Sequence, residues 1–302
     1  MAFGMAQSAV SLRRTKSEGA LSDLAPGRHH YALLPPPDSG LISDFVTHLG
    51  GDPAAYDGRV PAHFFPQWTF PILIETLKTA TLKGLPIAAH KLLNGGFRME
   101  IKGPLPQGEA LEVEAWLEAI DDGPRKTRLT QRIVTGTASS PEALTVDFFP
   151  VVPKKGGRSA PRDTQEATGA DDPMRDPRVR PEIPTEGLTV LGTVELSDRA
   201  GLDFALLTGD FNLIHWLKPA ARASGFKNVI LHGFSSAGRA LEAYVRERLD
   251  GDPSRVRAMT ARFNKPLVLP AKGTIWADAH GSVWLGKAQG EKSWMSGHIV
   301  AD

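Results

Sequence analysis

The order of predicted secondary structure repeats in the two halves of the chain, and this repeat constrains the fold more than any other feature. In the first half, a predicted helix over 70–82 is followed by alternating strands from residue 97 onward. In the second half, a predicted helix over 234–249 is followed by alternating strands from residue 258 onward. An antiparallel sheet curled around one long helix is the simplest way for each half to bury both faces. The sequence therefore predicts two equivalent α+β modules.

Hydrophobic periodicity places the individual elements. Phe97, Met99 and Ile101 alternate with charged residues, as in a half-buried strand. The predicted helices cover 41–49, 70–82, 199–207, 219–224 and 234–249. The predicted strands cover 97–101, 111–117, 128–137, 144–152, 188–196, 258–263, 273–279, 283–288 and 293–300. Residues 61–66 are predicted to be extended, and Ser197 with Asp198 is predicted to cap the helix at 199–207.

Composition shifts along the chain suggest four segments. Residues 1–22 are predicted to be a flexible N-terminus, and 23–153 form the first module. Residues 154–184 are rich in Pro and Asp with scarcely an apolar side chain, so they cannot offset the entropy of ordering and are predicted to be a linker. Residues 185–302 form the second module.

Overall composition excludes several functional classes. Lys plus Arg is 35 and Asp plus Glu is 34, so the net charge of +1 gives no reason to expect nucleic acid as a partner. The chain has no cysteine, which excludes a disulfide framework and a thiol nucleophile. No apolar run approaches the ~20 residues of a membrane span. We predict a cytoplasmic bacterial protein; basic residues in the segment 1–22 leave a mitochondrial transit peptide as the alternative.

The chemically richest stretch is Gly209-Asp210-Phe211-Asn212-Leu213-Ile214-His215, followed later by His232-Gly233 at the start of the longest predicted helix. Asp210 and His215 are five residues apart on a predicted turn and can both bind one water. The backbone N–H of Gly233 would be a free donor at the positive end of the helix dipole. These groups together suit proton transfer beside a polarised carbonyl.

This pattern resembles the signature of the MaoC-like (R)-specific enoyl-thioester hydratases and dehydratases. The residues that carry the resemblance are Gly209-Asp210-Phe211-Asn212 with His215, and His232-Gly233. The resemblance covers the second half by motif and the first half by layout, and it implies a double hot-dog fold. One residue departs from it, because Leu213 stands where the family usually has proline, which fixes φ and restrains the loop.

The resemblance implies a hydro-lyase that interconverts trans-2-enoyl and (R)-3-hydroxyacyl thioesters of CoA or acyl-carrier protein, with no metal or other cofactor. Asp210, His215 and Gly233 are the expected catalytic residues. Asn212 and Gly209 are expected to support the loop or the substrate, and His232 is left outside the catalytic set. A non-catalytic acyl-thioester binding protein and a hot-dog thioesterase remain the alternatives. Pairing of two chains into a homodimer is compatible with such an architecture.

The first module offers a comparison within the same chain. Gly51-Asp52 resembles Gly209-Asp210 in position, but Ala54 and Asp57 stand where the Asn and His would be, and Phe64 replaces the glycine of the His-Gly pair. We therefore predict one active site per chain. Because the first module is not expected to be catalytic, we expect it to offer room for a longer acyl chain beside its helix.

Overall fold

A computed structural model describes residues 27–82, 92–123, 126–153 and 178–302 of this chain. The predicted flexible segment 1–22, the helix end near Gly84 and most of the predicted linker lie outside the described residues. Within the described part, no helix is both long and apolar enough to cross a membrane.

The described strands form one ten-stranded antiparallel sheet. The strands are β1 (His30–Leu34), β2 (Leu93–Ile101), β3 (Leu111–Asp122), β4 (Lys126–Gly136), β5 (Leu144–Pro153), β6 (Thr189–Leu196), β7 (Val256–Phe263), β8 (Ala271–Ala277), β9 (Ser282–Gly286) and β10 (Met295–Ala301). Their order is β1-β3-β4-β5-β2-β7-β10-β9-β8-β6. Each half of the chain thus contributes five strands in the same internal order, as the repeat in the sequence predicted.

The two halves join where β2 pairs with β7. Phe97 lies opposite Ala261 and Met99 lies opposite Met259, so equivalent strands of the two modules meet at the centre of the sheet. Both methionines and Phe97 are buried. The junction therefore belongs to the hydrophobic core and is continuous with the core of each module.

Among the described residues, five α-helices accompany the sheet: α1 (Ser39–Leu49), α2 (Pro66–Leu82), α3 (Ala200–Thr208), α4 (Lys218–Ala223) and α5 (Gly233–Arg248). The helix α5 contacts all five strands of the second module, and α2 contacts β1, β3 and β4 of the first. Each long helix thus covers its own half of the sheet.

Small residues allow α5 to pack closely. Ala237, Ala240 and Ala243 are buried on this helix. At Gly238 an added Cβ would lie 2.6 Å from a methyl carbon of Leu49, so only glycine permits this approach of α5 to α1. Because α1 belongs to the first module, this contact ties the two modules together directly above the sheet.

Some local predictions differ from the structure. Residues 61–66 were expected to be extended, but Ala62–Phe64 forms a 3-10 turn and α2 begins at Pro66. The reason is that proline suits the first position of a helix, where its missing N–H costs nothing. The strand β1 was not predicted, because its pattern is that of an edge strand with Tyr31 and Leu33 pointing into solvent. Ser197 does not cap α3; its Oγ accepts a hydrogen bond from the backbone of Arg199, one residue before the helix.

The described end of the predicted linker packs against the second module. Val179 and Ile183 are buried, and Ile183 contacts Trp276 and Trp284. The carbonyl of Arg180 accepts a hydrogen bond from the indole N–H of Trp284. Residues 178–184 therefore cover part of the sheet face that points away from α5.

Candidate active site

Asp210 is held at the end of α3 by its own local backbone. Gly209 ends α3 in the left-handed conformation at φ 76°, which glycine adopts without strain. One carboxylate oxygen of Asp210 then accepts a hydrogen bond from the backbone N–H of Asn212 at 3.3 Å. Asp210 is buried, with 6% of its surface exposed. The predicted supporting role of Gly209 is thus to turn the chain so that this carboxylate points inward.

His215 is oriented by a hydrogen bond on one side of its ring. It ends a 3-10 turn over Leu213–His215, in which the backbone N–H of Ile214 donates to the side-chain oxygen of Asn212. Its Nδ1 lies 2.8 Å from the carbonyl oxygen of Ile230. Since a carbonyl can only accept, Nδ1 carries the proton, and Nε2 of the neutral ring is left as an acceptor.

Hydrogen bonds restrain the loop in which leucine stands in place of proline. The indole N–H of Trp216 donates to the carbonyl of Phe211, and the backbone N–H of Leu217 donates to the carbonyl of Leu213. Leu213 itself is 43% exposed. These bonds and the Asn212 cap restrain the turn without the fixed φ of a proline.

His232 lies in the same site, although the sequence interpretation left it out. Its ring stacks on that of His215, with centroids 3.6 Å apart. Its Nε2 lies 3.0 Å from the backbone oxygen of Asp210 and 3.7 Å from a carboxylate oxygen of the same residue. His232 therefore fixes the Asp210 backbone and one face of the His215 ring. The sequence feature that could have placed His232 in the site is its position directly before Gly233.

Gly233 is the first residue of α5, so its N–H belongs to the first turn, where no intrahelical acceptor exists. An added Cβ would lie 2.5 Å from the ring of Phe263. The sequence interpretation attributed this glycine to close approach of an acyl group, whereas in the structure the nearest obstacle is an aromatic side chain of β7. Both reasons require a residue without a side chain here.

Burial controls the ionisation of the cluster. Burial lowers the pKa of His215 to about 3, an effect that the neighbouring His232 reinforces. Burial also lowers the pKa of His232 to about 3. Burial raises the pKa of Asp210, against the opposing effects of His215 and of the Asn212 N–H. Both imidazoles are therefore neutral near neutral pH, and the Asp210 carboxylate is a stronger base than a carboxylate in water.

We expect the free energy of unfolding to fall as the pH is lowered from 6.5 toward 4. The pKa of His48 is lowered to about 4, and those of His215 and His232 to about 3, so the unfolded chain binds more protons in this range. Each histidine contributes up to about 1.4 kcal/mol per pH unit. Asp210 has the opposite sign, because its raised pKa stabilises the fold below that pKa and the contribution is lost as the pH rises through it. Denaturant unfolding at several pH values measures the slope, and equal stability at pH 7 and pH 5 would contradict the expectation.

Asp210, His215 and His232 also satisfy a distance criterion for metal ligands, since one ligand atom from each lies within 4.8 Å of the others. The Nε2 atom of His232 faces the backbone carbonyl of Asp210, and an ion bound at this nitrogen would have to displace that hydrogen bond. The expectation from the sequence that the site works without a metal stays a prediction.

Gly201 is a further residue that the sequence interpretation missed. It lies in α3, and an added Cβ would collide with the carbonyl oxygen of His215. Glycine is unfavourable inside a regular helix, where alanine is more stable by about 1 kcal/mol. At this position glycine allows α3 to lie directly against the turn that carries His215.

Gly201→Ala should therefore destabilise the protein by about 1–3 kcal/mol, the usual cost of overpacking, and should lower activity by displacing His215. Denaturant unfolding and turnover measure the two effects. Gly40→Ala is the matched control, since Gly40 is likewise the second residue of a helix and an added Cβ would meet only the side-chain oxygen of Asp38. A Gly201→Ala protein as stable and active as Gly40→Ala would refute this role.

The segment of the first module that corresponds to Gly209–His215 contains a different set of polar contacts. Asp52 caps a 3-10 turn through a hydrogen bond from the N–H of Ala54. The hydroxyl of Tyr56 donates to the carboxylate of Glu242 on α5 at 2.9 Å, and Nε2 of His63 lies 2.9 Å from the same oxygen. These side chains are buried and connect α5 to the first module. The segment of the first module that corresponds to the Asp210 turn thus takes part in contacts between the two modules.

Comparison with known proteins shows the family from the sequence and the fold from solved structures. Residues 172–283 match the family model for the MaoC like domain. Enoyl-CoA hydratase 2 (peroxisomal) of Arabidopsis thaliana is 37% identical over 220 residues, which are 72% of this chain and 68% of that protein. The structure of HtdX of Mycobacterium tuberculosis has a TM-score of 0.68 at 18% identity and covers 91% of this chain and 100% of that one. A second Mycobacterium tuberculosis structure, described as a double hotdog fold, has a TM-score of 0.52 at 14% identity over 92% of this chain and 96% of that one.

The repeated module, with the buried Asp–His cluster at the start of α5, defines a double hot-dog protein, and the fold class predicted from the sequence is confirmed. The chain belongs to the MaoC-like dehydratase family. The matched region spans 24% of the peroxisomal multifunctional enzyme type 2 of Mus musculus and 59% of the probable enoyl-CoA hydratase 2 of Dictyostelium discoideum.

Proposed function

We propose that this protein is a hydro-lyase that interconverts trans-2-enoyl thioesters and (R)-3-hydroxyacyl thioesters. The observation that carries the proposal is the meeting of two proton acceptors, the Asp210 carboxylate and the His215 ring, next to the first N–H groups of α5. The names of related proteins agree with this activity, among them the 3-hydroxyacyl-thioester dehydratase X of Mycobacterium tuberculosis, which is 30% identical over 120 residues and aligns over 40% of each chain.

In the direction of hydration, one water binds between the Asp210 carboxylate and Nε2 of His215. Its oxygen forms a bond to the β carbon while one O–H bond breaks and the proton passes to the pair. The electron pair of the C=C bond moves toward the thioester carbonyl and gives an enolate. A proton from the pair then forms the new C–H bond at the α carbon, so the pair returns to its starting protonation state. The reaction has no net change of oxidation state and requires no redox cofactor.

The enolate oxygen would accept a hydrogen bond from the N–H of Gly233. This N–H lies at the positive end of the α5 dipole, where negative charge is stabilised. One donor of this kind typically contributes ~3 kcal/mol to lowering the barrier. Residue 233 has no side chain, and the space where a Cβ would stand is filled by the ring of Phe263.

Three activities on this fold are separated by one experiment. The protein is incubated with enoyl-CoA and enoyl-carrier-protein substrates, and loss of the conjugated double bond and release of free thiol are followed together. A hydratase removes conjugation without releasing thiol, whereas a thioesterase directs the water at the carbonyl carbon and releases thiol. A protein that changes neither signal but binds the substrates is an acyl-thioester binding protein. Either of the last two results would overturn the proposal.

The thioester class of the substrate follows from the same proposal. We infer an acyl-CoA or acyl-carrier-protein thioester as the substrate, and no nucleic acid as a partner. Assembly into a homodimer and the cytoplasmic location stay predictions from the sequence.

A further inference from the structure

A cluster of phenylalanine rings surrounds the start of α5, directly beside the proposed binding place of the thioester oxygen. We call it the phenylalanine cluster; its members are Phe65, Phe97, Phe148, Phe234 and Phe263. Three of them belong to the first module and two to the second. The cluster therefore occupies the seam between the modules at the point where α5 begins.

Phe234 is the centre of the cluster. Its ring centroid lies 5.2 Å from that of Phe65, 5.5 Å from that of Phe97 and 5.6 Å from that of Phe148. The ring of Phe263 is 6.2 Å away. These separations are those of rings in contact, so little apolar space remains between them.

Phe263 and Phe148 lie on the accessible side of the cluster. Phe65 and Phe97 are 1% exposed and Phe234 is 7% exposed, whereas Phe148 and Phe263 are only partly buried. Phe263 is also the ring that fills the space beside Gly233, 2.5 Å from where a Cβ would stand. An acyl chain that leaves the thioester toward the first module would meet these two rings first.

We propose that Phe263, supported by Phe148, restricts this site to short acyl chains. The inference rests on the proposed function, because it places the thioester at Gly233. It is opposite to the expectation from the sequence that the first module provides room for a long chain, because Phe65, Phe97 and Phe148 of that module pack around Phe234. Methylene groups beyond a short chain must displace a packed ring, and an apolar pocket discriminates roughly 10- to 200-fold per poorly accommodated methylene.

The test compares kcat/KM for enoyl-CoA substrates of four, eight and twelve carbons in the wild-type protein, Phe263→Ala and Phe148→Ala. The wild-type protein should favour the four-carbon substrate over the twelve-carbon one at least about tenfold. Phe263→Ala should shift this ratio toward the long substrate by a similar factor, and Phe148→Ala should shift it less. Tyr31→Ala is the control, since it removes an aromatic ring that is 74% exposed on the edge strand β1.

Two results would overturn the proposal: a wild-type protein that uses the twelve-carbon substrate as well as the four-carbon one, or folded Phe263→Ala and Phe148→Ala proteins with the wild-type ratio. If Phe263→Ala does not fold, Phe263→Leu removes the ring while keeping an apolar side chain and serves the same comparison. If no substrate is turned over, the proposed function fails. The affinities for butyryl-CoA and lauroyl-CoA, measured by calorimetry, then test the same ratio independently.

Discussion

Asp210→Asn is expected to reduce turnover of a trans-2-enoyl thioester by a factor of about 10²–10⁴, the usual contribution of a positioned general acid–base group. Asparagine is close in shape and keeps an oxygen that can accept the hydrogen bond from the N–H of Asn212. It cannot accept a proton from the bound water at neutral pH. Substrate affinity should change little, and the free energy of unfolding at neutral pH should not fall, because the variant removes a buried charge whose pKa is raised by burial. Steady-state kinetics, calorimetry and denaturant unfolding measure these three quantities.

The chain contains its own control for this substitution. Asp52 accepts a hydrogen bond from the N–H of Ala54, two residues later, just as Asp210 does from Asn212. Asp52→Asn should therefore leave turnover unchanged, since the first module is not expected to carry chemistry. An Asp210→Asn protein that turns over substrate at the wild-type rate would remove Asp210 from the mechanism.

His215→Asn is expected to lower turnover by about 10²–10⁴ as well, while preserving the local backbone. The amide nitrogen of asparagine can take the place of Nδ1 and donate to the carbonyl of Ile230, but no atom replaces Nε2. The loss is thus confined to the acceptor that faces the water. His280→Asn, on the exposed turn after β8, is the control for a histidine outside the site.

A second readout reports whether His215 is buried and neutral in the folded protein. Because its pKa is lowered to about 3, His215 takes up a proton on unfolding below pH 6.5, and His215→Asn should reduce the pH dependence of stability accordingly. Reduced pH dependence together with lost turnover fits the proposed role. If the variant instead turns over substrate normally, His215 serves only to pack against His232.

Regular elements with clear hydrophobic periodicity were predicted well from the sequence. The helix α5 was expected at 234–249 and lies at Gly233–Arg248, and the strands of both modules differ from the predictions mainly at their ends. Periodicity succeeds here because the buried face of each element repeats over many residues. It failed for β1, which has only five residues and exposes Tyr31 and Leu33.

The site was predicted only as far as its groups lie close together in the chain. Gly209, Asp210, Asn212 and His215 form one turn, so their proximity is a local property. Contacts between residues that are far apart in the chain produce no local sequence pattern from which they could be predicted. Gly201 meets the His215 backbone across a helix-to-turn contact, and the ring of Phe263 reaches Gly233 from β7. Such contacts depend on tertiary packing, which the residue pattern of one segment does not contain.

The pairing of β2 with β7 has a consequence for how the molecule behaves on dilution. The contact that joins the two modules lies within one polypeptide, so its formation is a first-order process with an effective concentration set by the connecting chain. The joined state therefore does not depend on how many copies of the protein are present. A substitution also alters only one of the two modules, whereas in a pair of identical subunits it would alter both. One half can thus keep a buried carboxylate and imidazole, Asp210 and His215, while the other half carries different side chains at the corresponding positions.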